Sequence, residues 1–501
     1  MNPAPVEAAS FGAGGPTAVG RVERVNPART SEVVGRAATV DPAGAAALVT
    51  AADAAHRAWA ARAPEDRCAL LLEAADAVAA TTDDLGPLLA RELGKVVADC
   101  RGEMGFAAAC LRHTVELAPE VLATTEVDDG AGRLRVERVP FGVVVAIVPW
   151  NAPLILSILK VAPALAAGNA VVVKPSPLAP LAVTRALAAI AARLPDGVLS
   201  VVHGDGDVGG ALVAHPLTRK VAFTGGGATA AHVAAAAAPL LTPLVMELGG
   251  NDPAVFLDDA HLGDEVMERA VFGAFLTSGQ VCMAAKRFYV PRARLGEFVE
   301  AFTAAAARVL VVGDPLDEHV TMGPMVSAAQ RDHVVRLVDD ARDRGGEVRT
   351  LGRVAAACDL DAGWFLRPTL VTGLDDDAAL VSEEQFGPSV PVLPYDSLDE
   401  AVARANDSEL GLASSVWSAD EDRAFAVASR LEAGMTFVNC HNRTGMSLRA
   451  PFGGVKRSGY GREFGAAGLE EYVQTHAVHA PAAVRAGSGV TAAANAYPGQ
   501  T

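Results

Sequence analysis

A thiol and a carboxylate stand in this chain where nucleophilic chemistry would put them. Cys282 follows Gly279, Gln280 and Val281 and precedes Met283, Ala284 and Ala285. Gly279 leaves the chain short of bulk beside the sulfur, so the stretch predicts an approachable thiol. A thiolate adds readily to carbonyl carbon once a base or a positive field makes it available. Taken alone, a free Cys in an apolar run is more often a small buried hydrophobe. Glu247 ends the apolar run Leu244, Val245, Met246 and is followed by Leu248, Gly249, Gly250 and Asn251. Desolvation at such a strand end raises a carboxyl toward a base's working range; the alternative is a solvated turn residue. One nucleophile and one base can therefore face one cleft.

Polar residues also follow three other apolar runs. Val143–Val148 leads into Pro149, Trp150 and Asn151. The run 170–173 leads into Lys174, Pro175, Ser176 and Pro177, and the run 220–223 into Thr224, Gly225, Gly226 and Gly227. A glycine turn that opens a helix presents free N–H groups to a phosphate. No GxGxxG is present, and glycine turns before helices are common, so this signal is weak alone.

The elements that must position these residues alternate strand and helix from 143 to 239, and again from about 253. That rhythm predicts an α/β fold with parallel sheets covered by helices on both faces, its ligands at the carboxyl ends of the strands. Before it, residues 43–62, 65–93 and 98–124 have the apolar spacing of helices, the last with a break near Pro119. Residues 1–20 read as frayed and the tail 481–501 as disordered. The segment 132–140 alternates apolar and charged residues, as an exposed edge or assembly strand does.

Half of the 501 residues are hydrophobic, enough for sizeable cores in about three domains. The net charge of −17 argues against nucleic acid as a partner. The six Cys form no CxxC, and no Cys/His spacing fits zinc, so no metal site is expected. Cys usage fits a reducing cytoplasm. No signal peptide and no membrane-spanning run are visible.

Seven motifs in order carry a resemblance: PWN at 149–151, KPS at 174–176, FTG at 223–225, ELGGN at 247–251, GQVC at 279–282, EEQFGP at 383–388 and PFGGVKRSGYGRE at 451–463. The chain resembles the aldehyde dehydrogenase superfamily over about residues 20–478. The resemblance implies a Rossmann-type cofactor domain, an α/β catalytic domain and a small β oligomerisation element. The expected limits are 1–118 with 141–250, 251–450, and 119–140 with 471–480, and the expected assembly is a homodimer or homotetramer. It implies oxidation of a small aldehyde to the carboxylate with NAD, with Cys282 as nucleophile, Asn151 as oxyanion donor and Glu247 as the base for thioester hydrolysis. Lys160 and Glu463 match charged residues behind that glutamate, as a proton relay or a structural ion pair. The implied cofactor contacts are Ile147, Pro149, Trp150, Lys174, Ser176, Pro177, Thr224, Gly225, Gly226, Leu248, Glu384 and Phe386.

Two departures leave specificity open. Many NAD-preferring relatives carry Glu where Pro177 stands, so NADP is not excluded. Ala152 replaces the aromatic that relatives taking long or aromatic aldehydes often carry. With His441, Arg443 and Arg449 nearby, this suggests a small polar or carboxylate-bearing aldehyde. The alternatives are a CoA-acylating semialdehyde dehydrogenase, against which the presence of Glu247 counts, and a non-catalytic nucleotide-binding relative, which would be expected to lack Cys282, Glu247 or Asn151.

Overall fold

The computed structural model describes residues 4–482. A six-stranded sheet runs in the order Gly459–Tyr460, Leu244–Glu247, Thr218–Thr224, Val143–Ile147, Ala170–Lys174, Leu199–Val201. All neighbours are parallel apart from Gly459–Tyr460, which lies antiparallel to Leu244–Glu247. The adjacent strands Val143–Ile147 and Ala170–Lys174 are Val-rich, and their β-branched side chains fit a pleated surface covered on both faces. Val143, Val144, Val145, Val171, Val172 and Val173 are all fully buried.

A seven-stranded sheet follows in the order Glu347–Thr350, Thr369–Thr372, Ser389–Tyr395, Ala285–Pro291, Asp252–Phe256, Ala413–Trp417, Met435–Val438. It is parallel except for Glu347–Thr350. Its core holds a cluster of aromatics, with Phe256 stacked on Trp417 at 4.9 Å between ring centres. The turn 248–251 carries the chain from the end of one sheet to the start of the other. Asp252 then pairs with Ala285, three residues after Cys282. This connection sets the start of a second-sheet strand against the carboxyl ends of the first sheet.

Several expectations change. Residues 6–9 are not frayed: Val6–Ala9 pairs parallel to Arg29–Thr39, and Phe11 bridges to Val201. The strands Gly20–Asn26 and Arg29–Thr39 complete that small sheet. The stretch 65–93 divides into Pro64–Ala79 and Thr82–Leu93. At the division the Thr81 and Thr82 hydroxyls donate to the carbonyls of Val78 and Ala79, closing the first helix. The helix Val97–Val121 runs on past Pro119, so the ribbon begins only at Thr125. Thr125–Asp129, Gly132–Pro140 and Val473–Pro481 form an antiparallel sheet with Gly132–Pro140 in the middle. Most of the tail read as disordered lies outside the described residues.

The helix Pro153–Ala166, which follows the PWN motif, starts with Pro and has no capping side chain of its own. Its cap comes from Glu103, whose Oε1 accepts from the Leu154 N–H at 2.8 Å. Glu103 Oε2 also accepts from Lys95 Nζ at 2.6 Å, and both side chains are buried. Glu103→Ala should therefore strand a buried ammonium and uncap the helix, destabilising the protein by about 3–5 kcal/mol. A lowered melting temperature in thermal denaturation checks this.

Candidate active site

The segment before Cys282 is a tight left-handed turn. Thr277, Ser278 and Gly279 have φ of 53°, 58° and 71°. For the two non-glycine residues such a conformation costs on the order of 1–3 kcal/mol each. The Ser278 hydroxyl donates to the Gly323 carbonyl at 2.7 Å, and Gln280 Nε2 to the Thr277 carbonyl at 3.2 Å. Gln280 Oε1 accepts from the Val326 N–H at 3.0 Å. Gly279 is required for a reason the sequence did not suggest. A Cβ there would lie 2.3 Å from the Gly387 carbonyl oxygen, so the glycine admits a neighbouring strand entry rather than a substrate.

Asn151 is buried and its Nδ2 donates to the Gln280 carbonyl at 3.1 Å, which fixes the amide beside the nucleophile segment. Two cavities meet here. A cleft of about 280 Å³ is lined by Pro149, Trp150, Asn151, Thr224, Gly225, Gly226, Leu248, Gly249, Cys282, Gln330, His333, Glu384 and Phe386. A smaller cavity of about 90 Å³ lies beyond Cys282, bounded by Phe106, Leu156, Leu276, Met446, Phe452 and Phe464 among others. Asn151 and Cys282 are the two residues common to both walls.

The cleft opens on the carboxyl ends of the first sheet. The helix Gly227–Ala237 starts there with Gly226 as its N-cap and no side chain capping it. A Cβ at Gly226 or Gly227 would meet open space, and Gly226 lines the cleft, so the uncapped start of this helix lies at its wall. Trp150 and Phe386 meet edge to face, 5.5 Å apart, on its wall. Glu384 Oε1 accepts from the Gly250 N–H at 3.1 Å. Gly249 makes room for that carboxyl, since a Cβ would lie 2.3 Å from Glu384 Oε2. Burial pushes the Glu384 carboxyl up to about 7. Ile147, Lys174 and Ser176 do not line either cavity at Cys282, and Pro177 opens on a separate cleft with Asp205 and Asp207. Burial brings the Lys174 ammonium down to about 8, against the attraction of Asp205.

Glu247 is buried and not on either cavity wall, and its Oε1 has no hydrogen-bond partner among the described residues. Burial first, then the charge of Glu463, raises its carboxyl well above the ordinary range. Behind it Lys160 Nζ donates to Glu463 Oε1 at 2.5 Å and to Thr224 Oγ1 at 2.7 Å. Lys160 thus joins the wall of the cleft to the wall of the smaller cavity. Enclosure raises the Cys282 thiol, and the charges of Glu247, Glu384 and Asp252 push it the same way.

The basic loop that suggested a carboxylate-bearing substrate spends its charges elsewhere. His441 is fully buried against Ser415, and Arg443 pairs with Asp99 at 2.8 Å. Arg449 is exposed. Lys95, at the edge of the smaller cavity, is paired with Glu103. What remains facing that cavity is mainly hydrocarbon from residues sequence reasoning missed. Phe452 lies in the PFGG motif and could have been found there; Phe106, Leu276 and Met446 carry no local signal. Among the described residues no group of three His, Cys, Asp or Glu could hold a metal ion, and no helix is long and apolar enough to cross a membrane.

The fold is shared with known proteins. The geranial dehydrogenase of Castellaniella defragrans is 40% identical over 426 residues, covering 84% of this chain and 87% of that one. The betaine aldehyde dehydrogenase of Staphylococcus aureus in complex with NAD+ superposes with a TM-score of 0.89 at 30% identity, covering 95% of each chain. Aldehyde dehydrogenase C of Pseudomonas syringae, a mutant complexed with NAD+ and octanal, gives a TM-score of 0.85 at 35% identity, covering 93% of this chain and 94% of that one. The model of the aldehyde dehydrogenase family matches residues 16–478, and on that match, which takes in nearly every element described, this chain belongs to the aldehyde dehydrogenase family.

Proposed function

We propose that this protein oxidises apolar aldehydes of short to medium length to carboxylates, with NAD as the hydride acceptor. The observation that carries the reading is the position of Cys282 and Asn151 on the wall shared by a polar cleft and an apolar cavity. A dinucleotide suits the cleft: uncapped helix N–H groups face a pyrophosphate, Trp150 and Phe386 offer flat walls, and Glu384 offers a carboxyl to ribose hydroxyls. The aldehyde enters from the other side.

Cys282 Sγ, its proton removed, attacks the carbonyl carbon and forms the C–S bond. Asn151 Nδ2 donates to the oxygen as it gains charge; a donor of this kind contributes about 10²–10³ in rate. When bound, the nicotinamide ring supplies the acceptor for the hydride that leaves the same carbon. Cys282 then holds the acyl group as a thioester. Glu247 takes a proton from water, the water oxygen bonds to the acyl carbon, and the C–S bond breaks to release carboxylate and thiol. Glu247 Oε1, with no partner among the described residues, keeps its acceptor capacity for that water. Lys160 and Glu463 hold a polar path behind Glu247 along which its proton can leave.

The relatives divide on substrate, geranial and octanal on one side and betaine aldehyde on the other. Three phenylalanines near the smaller cavity could receive a quaternary ammonium, but the one carboxylate on its wall, Glu463, is already paired with Lys160 and leaves no counter-charge for it. The apolar reading fits better. Octanal and geranial should show kcat/KM at least about tenfold above betaine aldehyde or succinic semialdehyde, as one or two buried methylenes would give. A preference for either charged aldehyde overturns the substrate class. NADP assayed beside NAD in the same panel settles the question Pro177 raises. The exposed outer strands Thr125–Asp129 and Val473–Pro481 are proposed as the contact between copies of the chain.

A further inference from the structure

Beneath the nucleophile segment lies a buried hydrogen-bond chain that the oxidation does not use directly. Trp417 Nε1 donates to Ser415 Oγ at 2.9 Å. Ser415 Oγ stands 2.8 Å from His441 Nδ1, and His441 Nε2 stands 3.6 Å from Asp252 Oδ2. The indole can only donate, so the Ser415 hydroxyl is left to donate to Nδ1. That places the imidazole proton on Nε2, directed at Asp252. Among the described residues His441 Nε2 and Asp252 Oδ2 have no other partner, and both side chains are essentially fully buried.

Asp252 is close to the reacting segment. A Cβ built on Gly250 would lie 2.3 Å from the Cys282 carbonyl oxygen and 2.7 Å from Asp252 Oδ1, so these two groups meet over one glycine. Oδ1 accepts from the Ala413 N–H at 3.1 Å, which fixes the carboxyl in place. The other charged groups around it are engaged elsewhere. Arg287 donates to the carbonyls of Asn251 and Ala405, and Lys286 to the carbonyl of Gly387. Glu384, across the turn, accepts from the Gly250 N–H and adds a like charge. His441 is therefore the side chain that faces Oδ2.

We infer that His441 is a positioning residue for the oxidation: with Ser415 and Trp417 behind it, it anchors the Asp252 carboxylate as a fixed negative charge beneath Cys282, keeping the resting nucleophile a thiol. The inference rests on the reading of Cys282 as the nucleophile. Buried without His441, the carboxyl would take up a proton and the charge would be lost. Removing either member therefore acts in one direction, toward an earlier-ionising thiol.

The test is the pH dependence of Cys282 alkylation by iodoacetamide, followed by peptide mass mapping on the full chain. This readout needs neither aldehyde nor cofactor. Asp252→Asn, nearly isosteric, should move the alkylation midpoint down by roughly 1 pH unit. His441→Asn should move it the same way, and the double variant no further than Asp252→Asn alone. Ser415→Ala, which keeps the imidazole, should give a smaller shift of the same sign and stands in should His441→Asn fail to fold. An unmoved midpoint in Asp252→Asn overturns the inference, as do His441 and Asp252 effects that simply add. Cys282→Ala protein that keeps steady-state NADH formation near wild type overturns the nucleophile reading itself, and this inference with it, whatever the labelling midpoints are.

Discussion

Cys282→Ala is expected to reduce aldehyde-dependent NADH formation to background, a loss on the order of 10⁵-fold or more. The loss should fall on turnover and not on cofactor affinity. The sulfur lies where the two cavities meet, whereas the cleft wall is made by Trp150, Gly225, Gly226, Glu384 and Phe386, which the substitution leaves in place. Calorimetric titration with NAD should therefore give an affinity within a few-fold of wild type. Five other Cys remain in the chain: Cys100 and Cys110 are buried, and Cys68, Cys358 and Cys440 line neither cavity. None can take over the reaction, so residual steady-state turnover near wild type would mean that the thiol is structural.

Glu247→Gln should separate the two halves of the reaction. Acyl transfer to sulfur and hydride loss do not need a base for water, so a burst of NADH approaching one per subunit should survive. Steady-state turnover should then fall by about 10²–10⁴-fold, because the amide cannot take the proton of the attacking water. The pH dependence has a definite sign. Burial and the neighbouring Glu463 raise the Glu247 carboxyl, and the base form is the ionised one. In wild-type protein the deacylation rate should therefore rise with pH through a midpoint well above that of an ordinary carboxylate. In the Gln variant that acid limb should be missing. Stopped-flow measurement of the burst and of the following steady rate across pH checks both statements.

What the sequence made legible is what local chain chemistry controls. PWN, KPS, FTGGG and ELGGN each follow a short apolar run that ends in turn residues, and a parallel sheet gathers such ends along one edge. Asn151, Thr224, Gly225, Gly226 and Leu248 could be placed in that way, Cys282 from its own glycine-flanked segment, and Glu384 and Phe386 by resemblance; all of them line one cleft. Long-range packing was not legible. Phe106 reaches the apolar cavity from the helix Val97–Val121, and Leu276 and Met446 from other parts of the chain, with nothing in their own neighbourhoods to mark them. The same cause explains the basic loop: neighbouring residues suggest charge in a pocket, but Asp99 and Ser415, both remote in sequence, pair with Arg443 and hold His441 in the core. Residues 6–9 looked frayed because their composition is that of a tail, and only pairing with Arg29–Thr39 makes them a strand. Gly279 was assigned to access for the same reason, since the Gly387 carbonyl that requires it lies in a distant turn.

Everything proposed for this site depends on one sulfur carrying the oxidised substrate. Glu247→Gln protein mixed with octanal and NAD, quenched in acid during the slow phase, can be digested and mapped by mass spectrometry. An octanoyl adduct on the peptide containing Cys282, in amount equal to the NADH burst, is the result expected. NADH formed with no adduct, or with the acyl group on any other residue, would contradict it.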